Sequence, residues 1–140
     1  MIEQFRGSHR FLSNFWICNI KYAKKTYSSV EHAYQAAKTK DKKARKQIQK
    51  CITPGGAKRV GRSVVLRPDW EKIKIKIMRK LLYRKFKHLR LREKLLATED
   101  SKLQEGNYWN DTFWGVCLTT GKGKNWLGKL LMEVRESLQK

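Results

Sequence analysis

Ser28-Ser29-Val30-Glu31-His32-Ala33-Tyr34-Gln35-Ala36-Ala37-Lys38 is the stretch on which the reading of this chain turns. Ser28 followed three residues later by Glu31 has the form of a capping box, and strong helix formers come after it, so a helix is expected over residues 29–39. At 3.6 residues per turn, Glu31, then Tyr34 or Gln35, then Lys38 fall on one face. That face would carry a carboxylate, a phenol or amide, and an amine, while Val30, Ala33 and Ala37 offer a small apolar face for packing. Each polar residue also has a plain structural reading. Glu31 can serve only as the capping partner of Ser28, Lys38 can serve only the negative end of the helix dipole, and His32 has no second histidine at ligand spacing.

Outward from this stretch, composition sets limits. A chain of 140 residues is read as one domain, residues 1–140, long enough to bury a core. It shows no apolar run of membrane-spanning length and no leader-like N-terminus, so a cytoplasmic protein without a membrane partner is expected. Cys18, Cys51 and Cys117 are an odd number with no CxxC, which reads as reduced thiols; no metal and no cofactor is expected. The 33 Lys and Arg against 12 Asp and Glu leave a net charge of +21, which attracts polyanions without saying which. Nucleic acid, phosphorylated small molecules and a mere bias toward lysine all remain open.

Before the central helix, strands are expected at 2–5 and 16–21 with a return strand near Tyr27, and a loop over 6–15 in which Ser13 and Asn14 sit between aromatic anchors. After it, Asp41 caps a strongly basic helix and Thr53-Pro54 opens a short one. Gly55-Gly56 matches no phosphate-binding pattern. Residues 72–77 alternate like a strand, but Trp70, Ile73, Ile77, Met78, Leu81 and Leu82 fit a longer helical window, so a helix over 69–87 with Asp69 as cap is expected. A helix from Leu91 follows. Trp109, Phe113 and Trp114 then flank Asn110-Asp111, a pairing of rings and polar groups more suited to a site than to a core. Asn125 would cap a last helix over 126–138.

Phe11-Leu12-Ser13-Asn14-Phe15, Ser29 to Lys38, Gly61-Arg62, Leu66-Arg67-Pro68-Asp69-Trp70, Asn110 to Gly115 and Gly123 to Arg135 occur in the order seen in the NADAR superfamily, which includes the YbiA-like N-glycosidases; the chain resembles that family over nearly its whole length. The resemblance implies an α+β fold, compact and mostly helical, with a small N-terminal antiparallel sheet. It implies hydrolysis of an N-glycosidic bond of a ribose-phosphate compound, without a cofactor. Two substrate classes come with it: ADP-ribose on guanine in nucleic acid, with a toxin ADP-ribosyltransferase as functional counterpart, and the ribosylamino-pyrimidine phosphates of riboflavin synthesis. Carried over by motif, Glu31, Trp70 and Asp111 are the catalytic positions, with Asn14, Lys38, Arg62 and Trp114 nearby.

Breaking an N-glycosidic bond builds positive charge on the ribose and negative charge on the leaving base, so an acid and a carboxylate are required. Glu31 and Asp111 are assigned to these tasks without deciding which does which; Trp70 or Trp114 would stack on the base, Arg62 and Arg67 would hold phosphate, and Ser13, Asn14, Tyr34 and Gln35 would contact substrate. Lys38 opens a second route, a Schiff base with the opened ribose. The rival reading is a non-catalytic basic module that binds ADP-ribose or nucleic acid.

Overall fold

The computed structural model describes residues 1–140 and is α+β. It comprises two compact units, one of Asn14–Lys85 and one of Met1–Ser13 with Phe86–Lys140.

In the Asn14–Lys85 unit, β1 (Ile20–Tyr22) and β2 (Lys25–Tyr27) pair antiparallel, Ile20 opposite Tyr27. The two residues that join them, Ala23 and Lys24, both have positive φ, as the twist of a two-residue hairpin demands. Helix α1 (Val30–Ala37) follows, and all eight of its residues are buried. It packs against α2 (Lys42–Gln49), α3 (Pro54–Gly61), α4 (Trp70–Lys85) and both strands, which makes it the central helix of this unit.

The cap of α1 falls one residue later than its sequence implied. Ser29, extended at φ −165, is the N-cap and accepts from the amide of His32. Ser28 is held with the incoming chain, its carbonyl accepting from Cys18 N at 2.9 Å. His32 therefore takes the third helical position, where the capping-box acid would stand. Its Nδ1 lies 2.7 Å from Ser29 Oγ, and its Nε2 donates to the Cys51 carbonyl at 2.9 Å, tying α1 to the turn before α3. Glu31 is thereby released from the capping role.

The other caps of this unit follow their sequence signals. Asp41 accepts from Lys43 N, and Thr53 accepts from Gly56 N with Pro54 in the first helical position. In α4 the longer helical period prevails over the local alternation, with Trp70, Ile77, Met78, Leu81 and Leu82 buried on one side. The Asp69 side chain is bound by Arg67, whose Nε lies 2.8 Å from Oδ1.

The other unit begins differently from the expected strand at 2–5. Ile2 makes only an isolated parallel bridge with Leu103, and residues Gly7–Leu12, expected as loop, form a 3-10 helix. Helix α5 (Leu89–Leu96) and helix α6 (Trp126–Gln139) bury Leu91, Leu95, Leu127, Leu130, Leu131 and Val134. Between them β3 (Gly106–Asn107) and β4 (Val116–Cys117) pair in parallel, a second small sheet that no sequence period announced. Asn125 does precede α6 but caps it without its side chain, and sits in the left-handed region at φ 53. That side chain is spent elsewhere, accepting from Glu105 N at 3.0 Å and donating to the Leu103 carbonyl at 2.9 Å. No helix is long and apolar enough to cross a membrane.

Lys85, at the end of α4, is fully buried, and desolvation pushes its pKa down to about 7, opposed by the Cys18 thiol. In the unfolded chain the same amine holds its proton to about 10.5. Between these values the unfolded state binds more protons, so this group makes stability rise with pH from about 7 to 10.5 and contributes no slope well below 7. Lys85→Met should flatten that rise in pH-resolved denaturant melts. The cap assignment is checked by Ser29→Ala, expected to cost about 1–2 kcal/mol, against Ser28→Ala, expected to cost under about 0.5 kcal/mol.

Candidate active site

A helix buried on every side must find internal partners for each polar side chain it carries. On α1 these are Glu31, His32, Tyr34 and Gln35, and His32 is accounted for by its structural bonds. Glu31 stands in the first turn, 8% exposed, near the positive end of the helix dipole. One turn on, Gln35 donates from Nε2 to Glu31 Oε2 at 2.5 Å. This bond fixes the buried carboxylate.

Gln35 is in turn fixed by what α3 lacks. A Cβ on Gly61 would stand 1.9 Å from Gln35 Oε1 and 2.7 Å from its Cδ, so only glycine lets the amide lie where it reaches Glu31. Asn14, in the chain before β1, holds the first turn of the same helix, its backbone carbonyl accepting from Glu31 N at 3.1 Å. The Asn14 amide nitrogen rests on Met78 Sδ at 3.6 Å. Asn14 Oδ1 and Gln35 Oε1 are both buried and have no hydrogen-bond partner. A buried acceptor without a partner is costly to folding.

Lys38, at the C-terminal end of α1, is half-buried, with Nζ 5.7 Å from the Tyr34 ring centroid. Burial holds its ammonium below the usual lysine range; Glu31 opposes this, and Lys58, Arg62 and Lys74 push it down further. Trp70 is buried at 4% exposure and packs on Tyr34, ring centroids 5.2 Å apart and tilted by 58°. Its ring acts as the wall behind Tyr34. Arg62 is exposed next to Gly61, whereas Arg67 is occupied by Asp69 through Nε at 2.8 Å and Nη2 at 3.3 Å. Among the sequence candidates, then, Asn14, Glu31, Tyr34, Gln35, Lys38, Arg62 and Trp70 belong to one neighbourhood of the Asn14–Lys85 unit, and Arg67 braces the entry to α4.

The remaining candidates lie in the other unit. Ser13 is the half-buried residue that ends the 3-10 helix, its amide donating to Arg10 O at 2.9 Å. Asp111 is part of a rigid loop: Oδ1 accepts from Phe113 N at 3.1 Å and Trp114 N at 2.9 Å, an Asx turn. Trp114 is half-buried and meets Phe113 edge-on at 4.8 Å. The loop is held from inside by Asn107, 1% exposed, which donates to Glu105 Oε2 and the Asp111 carbonyl and accepts from Asp111 N, each at 3.0 Å. Gly115 must be glycine here, since its Cβ would fall 2.2 Å from the Glu105 carbonyl. Asn107 and Gly61 are structural supports of the candidate groups that sequence reasoning did not single out as such. Nothing local marks Asn107; for Gly61 the only mark was its place beside Arg62. No three His, Cys, Asp or Glu side chains are grouped so that they could hold a metal ion.

A buried acid held by an amide, beside a partly desolvated amine, on a mostly helical α+β fold, has the equipment of a hydrolytic enzyme. Residues 3–139 match the NADAR domain, and the chain belongs to that family. It is 47% identical over 129 residues to the N-glycosidase YbiA of Escherichia coli K12, covering 90% of this chain and 79% of that protein. The NMR structure of E. coli YbiA superimposes with a TM-score of 0.85 at 42% identity, covering 99% of this chain and 87% of that one. A riboflavin biosynthesis protein of Vibrio vulnificus, VVA0006, is 37% identical over 135 residues, which is 94% of this chain but 36% of that protein.

The dependence of Glu31 on Gly61 through Gln35 is tested by Gly61→Ala. The added methyl must displace the Gln35 amide, so turnover of an N-glycoside should fall about tenfold or more, while Arg62→Lys, one residue on and exposed, should leave folding unchanged; the comparison is read from initial rates beside thermal melts.

Proposed function

We propose that this protein hydrolyses the N-glycosidic bond of a ribose-phosphate compound, with ADP-ribose on guanine in nucleic acid as the first substrate class and ribosylamino-pyrimidine phosphates as the second. It is a hydrolase acting on N-glycosyl bonds, as are the N-glycosidases of its family. The observation that carries the reading is the Glu31–Gln35–Lys38 arrangement on one buried helix.

Glu31 is placed to stabilise the cationic ribose carbon as the bond to the base lengthens, or to activate the water that attacks it. Lys38 supports a covalent variant of the same hydrolysis. Its neutral amine adds to C1′ of the opened ribose, and loss of the base with its proton leaves a lysine imine. Water then adds to that imine and releases the ribose aldehyde, restoring the amine. The lowered Lys38 pKa favours this route, because more of the amine is unprotonated at a given pH.

The charge favours nucleic acid. The unit that holds Glu31 and Lys38 contains 21 Lys and Arg against four Asp and Glu, a net +17. A small phosphate needs one or two cations; a polymer of phosphates uses many. The pyrimidine reading is supported by VVA0006, whose name places it in riboflavin biosynthesis.

Purified protein and Glu31→Gln are to be assayed on guanine-ADP-ribosylated DNA and, separately, on the ribosylamino-pyrimidine phosphate. Release of ADP-ribose from DNA, reduced by about 10² or more in Glu31→Gln, is the expected result. Cleavage of the pyrimidine alone would reverse the order of the two substrates. Borohydride should trap a protein–ribose adduct in the wild type but not in Lys38→Ala; full activity of Lys38→Ala would remove the imine route and leave direct hydrolysis.

A further inference from the structure

Residues 40–62, which contain α2 and α3, carry nine Lys and Arg and a single acid, Asp41. Asp41 is spent on the cap of α2. The inward side of α2 is fully used: Ile48 is its one buried side chain, Gln49 donates to the Thr26 carbonyl at 3.0 Å, and Arg45 donates from Nε to the carbonyls of Thr39 at 2.8 Å and Ala36 at 3.1 Å. The outward side is Lys42, Lys43, Lys46 and Lys50, all exposed, with no side-chain hydrogen bond or ion pair. Lys42 and Lys46, like Lys46 and Lys50, stand at the i,i+4 spacing at which like charges destabilise a helix. A short helix that buries one side chain and concentrates repulsion on its other face gains nothing from this within its own fold.

The row continues toward the candidate site. Helix α3 packs on both α2 and α1 and adds exposed Arg59 and Arg62. Lys58 and Arg62 act electrostatically on Lys38. A membrane surface would need an apolar stripe on α2 to enter the interface, and its only large apolar residue, Ile48, is buried.

We propose that Lys42, Lys43, Lys46, Lys50 and Arg59 form a docking face for the sugar-phosphate backbone of nucleic acid, which brings a modified nucleotide to the site on α1. This rests on the reading of a nucleic-acid-borne substrate. Successive lysines at i,i+4 are about 6 Å apart along the helix, a repeating charge suited to a repeating anion. The contacts would be to phosphate and would carry no base preference.

The test is binding of an unmodified 20-nucleotide DNA, single-stranded and duplex, followed by fluorescence anisotropy from 50 to 200 mM salt. The wild type is compared with the combined Lys42→Ala, Lys43→Ala, Lys46→Ala, Lys50→Ala variant and with a variant carrying Arg at the same four positions. Wild-type affinity should fall by about 10² or more over that range, and the alanine variant should lose about three units of the log–log slope on duplex. The arginine variant should keep both affinity and slope. The alanine variant should melt at or above the wild-type temperature, since like-charge neighbours have been removed, and should cleave ADP-ribosylated guanosine mononucleoside at the wild-type rate while losing kcat/KM on ADP-ribosylated DNA. Unchanged affinity and slope in the alanine variant would overturn the docking face, even if the wild type repairs DNA normally. Binding lost to anionic phosphatidylserine vesicles but not to DNA would overturn it in favour of a membrane. Wild-type binding that the alanine variant loses, without turnover of the modified DNA, would uphold the face and sink the substrate reading alone.

Discussion

The complete burial of α1 is the constraint from which the rest of the Asn14–Lys85 unit follows. An eight-residue helix enclosed by three other helices and a hairpin has no solvent face on which to leave a carboxylate, an imidazole or an amide. Each is therefore matched to a neighbour: His32 to Ser29 and Cys51, and Glu31 to Gln35 and the Asn14 backbone. Two carbonyl oxygens stay unmatched. In a low-dielectric surrounding an unmatched acceptor is costly, and the folded unit carries that cost. Gly61 belongs to the same constraint, because the space it leaves is the space the Gln35 amide occupies.

Electrostatics divides the chain unevenly. The Asn14–Lys85 unit has a net +17, while the other unit has twelve Lys and Arg against eight Asp and Glu. Concentrated positive charge raises the local concentration of anions and favours the neutral form of any half-buried lysine among them. Lys38 experiences both effects, with Lys58, Arg62 and Lys74 as its cationic neighbours. Lys85 is fully buried, and desolvation lowers its pKa while Cys18 opposes the shift. Desolvation is the leading cause for both amines, but only Lys38 also has cationic neighbours pushing it down and a carboxylate on its own helix opposing the shift.

Short-range signals were legible where the deciding interaction is short-range. Asp41 and Thr53 cap the helices they precede, because a side-chain oxygen and an amide two or three residues on are enough to define a cap. The helical period, sustained over the 16 residues of α4, overcame the alternation of residues 72–77, since burial on one face acts over the whole helix. The choice between Ser28 and Ser29 was not legible: both sit at capping distance from a suitable residue, and the contact that decides, Cys18 N to Ser28 O, comes from outside the helix. Asn125 was placed at the right boundary with the wrong bond, its side chain being claimed by Glu105 and Leu103, some 20 residues earlier. The strand expected at 2–5 is reduced to an isolated bridge of Ile2 with Leu103 and a few backbone bonds between Ile2 or Glu3 and residues 102–106.

By itself the sequence determined the helices, the hairpin, the family to which the ordered motifs belong, and the chemical groups on α1. Period, capping and composition are properties of neighbours along the chain, and they survive without knowledge of the fold. Only the tertiary structure decided what those groups do. It assigned the cap to Ser29 and so released Glu31, gave Glu31 to Gln35, kept Gly61 bare beneath that amide, tied Arg67 to Asp69, and spent Asp111 Oδ1 on its own loop. Each of these outcomes is a competition among partners for one polar atom, and the winner depends on which backbone segments arrive beside it.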